Sequence, residues 1–467
     1  MSIRHRIRWA RAGAMIAAAL AASVASGQTP LPQGLTLSQA VDAAVRGYPS
    51  IRAAQEQVNA AAAAIGLART AYLPRVDALA QVNRATRNNV FGMLLPQSVI
   101  PSISGPVIGS NNFGTAWGSA IGTLAAWEPF DFGLRRANVA AAEAGRAQSE
   151  ASIKLTQFEV GAAAAEAYLT LAAAQETTRA AQAGMDRDAT IARTTAALVN
   201  AQLRPGADAA RAEAELAAAR AQLARAQQAV EIARAGLALY VGAEPAAVTI
   251  SASGVMRPPP EAPVAPPELS AHPAAVEQRL ALEQVQVQLR ALERSYFPRF
   301  QLQGAAYARG TDAETNGAFG GGVNGLAPTV QNYAVGFTVT FSVFDSAAIH
   351  AREAEESATI RSREAQAQQI AAELRARWNT AMAELQGARQ VAAATPAQVS
   401  AARAATDQAT ARYESGLGGI DETAEAQRLL TQAEIDDALA RLGVWRGLLE
   451  TAVAAGDLQP FLAEVGR

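Results

Sequence analysis

The run YAVGFTVTFSVF, residues 333–344, alternates without a break. Tyr333, Val335, Phe337, Val339, Phe341 and Val343 share one parity, and Ala334, Gly336, Thr338, Thr340 and Ser342 share the other. A period of two, with large apolar side chains against small or polar ones, predicts a β-strand. After Asp345 the alternation gives way to a helical pattern that reaches Tyr413 with one internal proline, Pro396. Within it Ala367, Ala371, Leu374, Trp378, Ala381, Leu385, Ala388, Ala392, Thr395, Val399, Ala402, Thr406, Ala409 and Tyr413 recur at alternating spacings of four and three. That heptad seam predicts left-handed supercoiling against neighbouring helices. At about 1.5 Å per residue the helix is a rod of roughly 100 Å, for which an ordinary globular core has no use. A strand with a lipid-like face fused to such a rod predicts a membrane barrel with a coiled-coil tube attached.

Composition narrows the field. The chain has 467 residues and a formal net charge of −2, so it lacks the polycationic footprint of a nucleic-acid partner. Half of it is hydrophobic but only 5% is aromatic, and much of the remainder is alanine, which favours close helix contact over a wide core. With no cysteine, disulfides, thiolate metal sites and a cysteine-linked lipid anchor are excluded. Arg4, Arg6, Arg8 and Arg11 precede an apolar run from Ala12 to Val24, and Ala25-Ser26-Gly27 offers a small-residue cleavage site. Residues 1–27 are therefore expected to be a cleaved export signal, the alternative being an N-terminal anchor. No later stretch reaches the roughly 20 apolar residues of a transmembrane helix. Entry of the mature chain into a membrane would have to be as a barrel.

Taken in order, the chain states its plan twice. Thr36 or Ser38 is positioned to cap a helix ending at Gly47, and Tyr48-Pro49 starts another that Pro74 stops. Val76 to Ala85 alternates weakly. An Asn/Gly/Pro/Ser-rich loop follows, with Phe91, Met93, Leu94 and Leu95 unusually apolar for one. Trp117 to Trp127 alternates again. The two tryptophans stand on one face about 25 Å apart in membrane depth, the spacing of two aromatic girdles. A long helix is expected from Leu134 to Asn200, a turn at Arg204-Pro205-Gly206, and a return helix capped by Asp208 and stopped at Gly242. Residues 243–267 read as a Pro-rich linker. Then His272-Pro273 answers Tyr48-Pro49, Phe297-Pro298-Arg299 answers Leu73-Pro74-Arg75, Phe344-Asp345 answers Phe130-Asp131, and Gly419-Ile420-Asp421 answers Gly206-Ala207-Asp208. The expected divisions are 28–242 and 268–467, with the linker and both termini gathering as a belt part-way down the helices. Four strands cannot close a barrel, since the smallest membrane barrels have about eight, and open edges are not tolerated in lipid. Strands must be pooled with copies of the same chain.

This duplicated plan resembles the outer-membrane efflux protein (TolC) family. The carriers are Leu35-Thr36-Leu37-Ser38-Gln39-Ala40-Val41 with Tyr48-Pro49, Ala71-Tyr72-Leu73-Pro74-Arg75, Phe130-Asp131-Phe132-Gly133 with Arg135-Arg136, and Ala167-Tyr168-Leu169. Most specific is Ala411-Arg412-Tyr413-Glu414-Ser415-Gly416, followed by Ile420-Asp421 and Ala426-Gln427. The resemblance implies a mostly α fold with a small β part: a tandem-duplicated coiled-coil barrel plus four transmembrane strands per chain, closing as a trimeric twelve-stranded β-barrel. The β-barrel part would be 75–130 and 299–344, and the α-barrel part 49–74, 133–241, 273–298 and 346–456. It further implies a homotrimer in outer-membrane lipid, acting as the passive exit duct of a tripartite pump. Such a duct docks onto a periplasmic adaptor and an inner-membrane transporter and opens iris-like at its periplasmic end. Type I protein secretion uses similar exit components and stays open as the alternative.

Residue by residue, the resemblance makes Asn200, Gln202, Leu203, Arg204, Pro205 and Gly206, with Glu414, Ser415, Gly416, Leu417, Gly418 and Gly419, the adaptor-facing tips. It makes Glu422 and Glu425 the pore constriction, although first-turn acids also suit a helix dipole. Tyr413 stands where the family holds its closed state with a polar or basic partner, but Gly418 fills the position where the basic one occurs. Trp117, Trp127, Tyr333, Phe337 and Phe341 are the expected membrane girdle. No nucleophile elbow, phosphate loop or paired-ligand spacing appears, and His5, His272 and His350 are scattered, so neither enzyme nor cofactor is expected. A periplasmic coiled-coil adaptor or spacer would explain the heptads and the signal. It would not explain the strand with its apolar face.

Overall fold

The computed structural model describes residues 34–86, 92–93, 103–104, 115–257, 259, 265–312, 320–341 and 345–466. The expected export signal, the apolar loop residues Phe91, Leu94 and Leu95, and Phe344 lie outside them. In chain order the elements are α1 (Leu37–Gly47), α2 (Pro49–Thr70), β1 (Arg75–Thr86), β2 (Thr115–Phe130), α3 (Leu134–Asn200), α4 (Gly206–Val241), α5 (Pro273–Glu293), β3 (Arg299–Thr311), β4 (Val330–Thr340), α6 (Asp345–Glu414), α7 (Ile420–Ala455) and α8 (Gln459–Gly466). A two-residue ladder, Gly92–Met93 with Ile103–Ser104, lies in the β1–β2 connection. The chain divides into two compact units, one of residues 53–154 and 273–371, the other of 1–52, 155–272 and 372–467.

The first of these holds the sheet. Its four strands run antiparallel in the order β1-β2-β3-β4, with Val76 opposite Ala125, Leu124 opposite Ala305, and Ala305 opposite Ala334. The alternation of β4 is present, but turned outward. Tyr333, Val335, Phe337, Val339 and Phe341 are 50–85% exposed, whereas Ala334, Gly336 and Thr338 are half-buried. Val76, Val82, Ile121, Trp127 and Leu302 are exposed on the same face, while Ala120, Leu124, Ala305 and Tyr307 cluster on the other. Leaving a large apolar side chain in water forfeits about 1.5–3 kcal/mol. A sheet built this way is suited to apolar surroundings. β1 and β4 are its two unpaired edges. Between Trp127 and Phe130 the register slips by a β-bulge at Glu128-Pro129, where the strand leaves the sheet for α3.

The second unit is helical. Every seam residue of α6 from Leu374 to Tyr413 is buried or half-buried, and most of its neighbours are exposed. The seam lies on α7: Thr406 Oγ1 donates to Ala426 O (3.0 Å), Thr423 Oγ1 to Ala409 O (3.3 Å) and Thr395 Oγ1 to Asp437 Oδ1 (2.9 Å). At Gly447 a Cβ would sit 2.9 Å from Leu385 Cα, so only glycine permits this approach of the two helices. Gly242 and Gly456 end α4 and α7 in the left-handed region, at φ 69° and 82°, at matching points of the two repeats. Pro396 stays inside α6.

The belt forms in this unit. Leu37 and Val41 of α1, Leu169 and Leu171 of α3, Leu237 of α4, Val248 and Val255, Leu442 and Leu449 of α7, and Phe461 of α8 make one core. Tyr168 is buried within it, and its hydroxyl donates to Ser251 O (2.6 Å) and Leu35 O (3.2 Å), beside a parallel bridge from Leu35 to Ile250. Burial pushes the Tyr168 pKa up. The stretch 243–256 is docked on this core through Val248, Ile250 and Val255. One expectation is corrected. Asp208 is not the cap of α4: Pro205 stands at that position, without a side-chain cap bond, and Asp208 lies in the first turn. Thr36 does cap α1, in a reciprocal capping box with Gln39.

Candidate functional site: the two turns and the ties between hairpins

Both turns are tight because the backbone hydrogen bonds close on themselves. In the first, Leu203 N donates to Leu198 O (2.9 Å), with Gln202 in the left-handed region at φ 58°. In the second, the N–H groups of Leu417 and Gly418 both donate to Arg412 O (2.9 and 3.0 Å). Each turn presents one exposed leucine, Leu203 and Leu417. Asn200, Gln202, Glu414, Ser415 and Gly416 are exposed beside them.

Tyr413 is the point where the hairpins meet. It is 2% exposed, in a cluster with Ala212 and Ile420 flanked by Ile191, Ala192 and Leu198. Its hydroxyl lies 3.3 Å from both Asp208 Oδ2 and Thr195 Oγ1 as donor. The Arg204 guanidinium stacks 4.4 Å from the ring centroid and donates to Tyr413 O. Arg204, from the other turn, is thus a basic side chain in direct contact with Tyr413. Sequence spacing misses it because the two residues are far apart in the chain. Gly418 itself is crowded: a Cβ there would lie 3.2 Å from Arg412 Cβ and from Glu422 Oε2.

The acidic residues opening α7 are exposed and each faces an arginine. Asp421 is 3.6 Å from Arg211, Glu422 is 3.4 Å from Arg412, and Glu425 pairs with Arg428. The carboxylate ring expected at Glu422 and Glu425 therefore comes with its counter-charges on the same chain.

Two further ties join α3 to α7. Arg187 donates to Gln427 Oε1 (3.1 Å), Thr431 Oγ1 (2.9 Å) and Glu434 Oε2 (2.9 Å). Beside it Gly184 makes room for Thr431, whose Oγ1 lies 2.7 Å from where a Cβ would be. A glycine in mid-helix costs about 1 kcal/mol relative to alanine, and was the signal that could have located this contact. Farther along, Arg446 reaches Glu166 (3.0 Å) and Thr170 Oγ1 (2.7 Å) at a cavity of about 330 Å³ lined also by Glu384, Gly443, Gly447 and Glu450. Burial raises the Glu450 pKa, the charges of Glu166 and Glu384 raise it further, and Arg377 opposes them.

In the other unit, Trp127 Nε1 donates to Tyr72 O (3.1 Å) and Arg84 lies 5.2 Å from the Trp117 ring centroid, so each expected girdle tryptophan is anchored near one end of β2. No helix among the described residues is long and apolar enough to cross a membrane, and no three His, Cys, Asp or Glu side chains among them are arranged to hold a metal ion.

The fold is that of known outer-membrane channels. The outer-membrane channel OprN matches with a TM-score of 0.70 at 22% identity, covering 90% of this chain and 89% of that one. The Campylobacter jejuni channel CmeC gives 0.69 at 16%, covering 90% and 85%. The Vibrio cholerae outer membrane protein VceC gives 0.70 at 17%, covering 90% and 96%. No curated protein sequence matches the chain. The outer membrane efflux protein family does, over residues 40–243 and 267–446, and the chain belongs to that family. It is a family of outer-membrane channels, not of enzymes.

Proposed function

We propose that the chain is one third of a passive outer-membrane exit duct serving a tripartite efflux pump. The observation that carries this reading is the sheet with its apolar face outward and both edges unpaired. Three copies supply twelve strands, close every edge, and set Tyr333, Phe337, Phe341, Trp117 and Trp127 against lipid and its interfaces. Residues 1–27 direct export. The helical hairpins α3–α4 and α6–α7 line the periplasmic conduit, and the turns at 200–206 and 414–419 face a periplasmic adaptor coupled to an inner-membrane transporter.

Opening of the periplasmic end requires the α6–α7 hairpin to part from α3–α4, and Tyr413 is what holds them there. A ring stacked on Arg204, with its hydroxyl shared between Asp208 and Thr195, is a contact with two discrete states, made or broken. Glu422 and Glu425 form the narrowest ring, partly neutralised by Arg412 and Arg428. In planar bilayers Tyr413→Ala should raise unitary conductance several-fold over wild type. A variant that conducts like wild type would remove Tyr413 from the gate.

A further inference from the structure

Where α5 ends and α6 begins, the side chains of Tyr296, His350 and Glu353 converge. Tyr296 Oη is 3.0 Å from His350 Nδ1 and donates to Glu353 Oε2 at 2.9 Å, and the third side of the triangle, Nδ1 to Oε2, is 3.3 Å. We propose that these three residues bind a divalent transition-metal ion, Cu²⁺ most tightly, one per chain.

The geometry fits without rearrangement. Metal–donor bonds of about 2.0–2.1 Å drawn to three atoms so spaced give donor–metal–donor angles of roughly 90–107°, the range of one face of a tetragonal or tetrahedral site. The donor set is one imidazole nitrogen and two oxygens, which suits Cu²⁺ by both chemistry and the Irving–Williams order. His350 and Glu353 stand three apart on one helical face, and the phenol arrives from a separate segment, so the site is chelating rather than local. The His350 side chain is 73% exposed and that of Glu353 24%, which leaves the remaining coordination positions open to water.

The first repeat shows that the fold does not require this cluster. There Tyr72 occupies the place of Tyr296, but the counterparts of His350 and Glu353 are Arg136 and Val139. The joint is instead closed by Arg135, whose guanidinium lies 5.0 Å from the Tyr72 ring centroid and pairs with Asp131 at 2.8 Å. All three proposed ligands lie in one compact unit, so the site does not depend on the duct reading. On binding, His350 presents the Nδ1 lone pair in its Nε2–H tautomer and the metal displaces the phenol proton to solvent. An ion here clips the segment leading into β3 to the segment following β4.

The test is titration of the untagged, detergent-solubilised full-length protein with CuCl₂, followed by calorimetry and electron paramagnetic resonance. The expected result is one Cu²⁺ per chain with a one-nitrogen hyperfine pattern. His350→Asn should lose that pattern, and Glu353→Gln and Tyr296→Phe should each weaken binding at least tenfold while keeping the nitrogen signature. Binding of no Cu²⁺ by the wild type, or the same stoichiometry and spectrum in His350→Asn, would overturn the proposal.

Discussion

The two repeats share a scaffold and differ at the places where it is put to use. Pro49 and Pro273 start equivalent helices, Gly242 and Gly456 end equivalent ones, and β1–β2 and β3–β4 are equivalent strand pairs. At the turns the equivalence fails. The second contributes a buried tyrosine and the first contributes what receives it, Arg204 and Asp208. At the joints between sheet and helix it fails again, with an Arg135–Asp131 ion pair in one copy and a Tyr-His-Glu triangle in the other. Duplication supplies a symmetric frame, and unlike residues at matched positions give the two copies different contacts.

The largest effect should come where the repeats are alike. Val339 on β4 and Ala125 on β2 hold corresponding positions on the outward face. An arginine at either should abolish trimer assembly, since a lipid-facing charge at mid-membrane costs about 2–4 kcal/mol per chain. Trimer yield on semi-native gels checks this, and a defect at only one site would mean that only one strand pair faces lipid. The turns should behave oppositely. Tyr413→Ala should open the pore, whereas Asn200→Ala, at the matching place in the first turn, should leave unitary current unchanged.

Glycines sharpen the contrast between return helices. Gly447 faces Leu385 at van der Waals limits, but a Cβ at Gly236 of α4 would meet nothing within 4 Å. Gly447→Ala should therefore destabilise by about 1–3 kcal/mol, as overpacking does. Gly236→Ala should stabilise by about 0.5–1 kcal/mol through helix propensity. Thermal unfolding distinguishes the two.

Smaller again are two pH effects of opposite sign. Burial raises the Asp131 pKa, but hydrogen bonds from Arg135 and the Gly133 N–H outweigh it and hold the carboxyl below its ordinary value. Its stabilisation is present above the unfolded-state value and is lost as pH falls through the lower folded one, so Asp131→Asn should be most harmful near neutrality. Glu450 is raised, so its contribution is present below the ordinary glutamate range and lost as pH climbs through the folded value. Glu450→Gln should raise Tm at neutral pH and leave it unchanged in acid. The least effect is expected at Glu422 and Glu425. Their joint replacement by alanine should weaken divalent-cation block and raise current modestly, because Arg412 and Arg428 already offset the charge.

Much of this was legible in the sequence wherever a periodicity carried the signal. Strict alternation at 333–341 fixed both the strand and the face that points outward, and the spacing of four and three fixed the α6 seam down to Thr395 and Thr406. Matching prolines and glycines marked the helix ends. What could not be read were contacts between residues far apart in the chain. Arg204 on Tyr413, Arg187 on Thr431 and Tyr296 on His350 each need the tertiary fold before they become neighbours. Asp208 was misplaced for a local reason: an acidic residue after Pro-Gly suits both a cap and a first turn, and here Pro205 already has the extended backbone of a cap. The helix α8 went unread because a short apolar stretch between a glycine and the chain's end carries too few residues to show a period.

The central claim is that this chain forms a wall segment that is complete only in threes. Native mass spectrometry of the protein extracted from outer membranes tests it most directly. The account predicts a complex of three mature chains that stays intact in detergent and dissociates only on heating. A folded, detergent-independent single chain would contradict it.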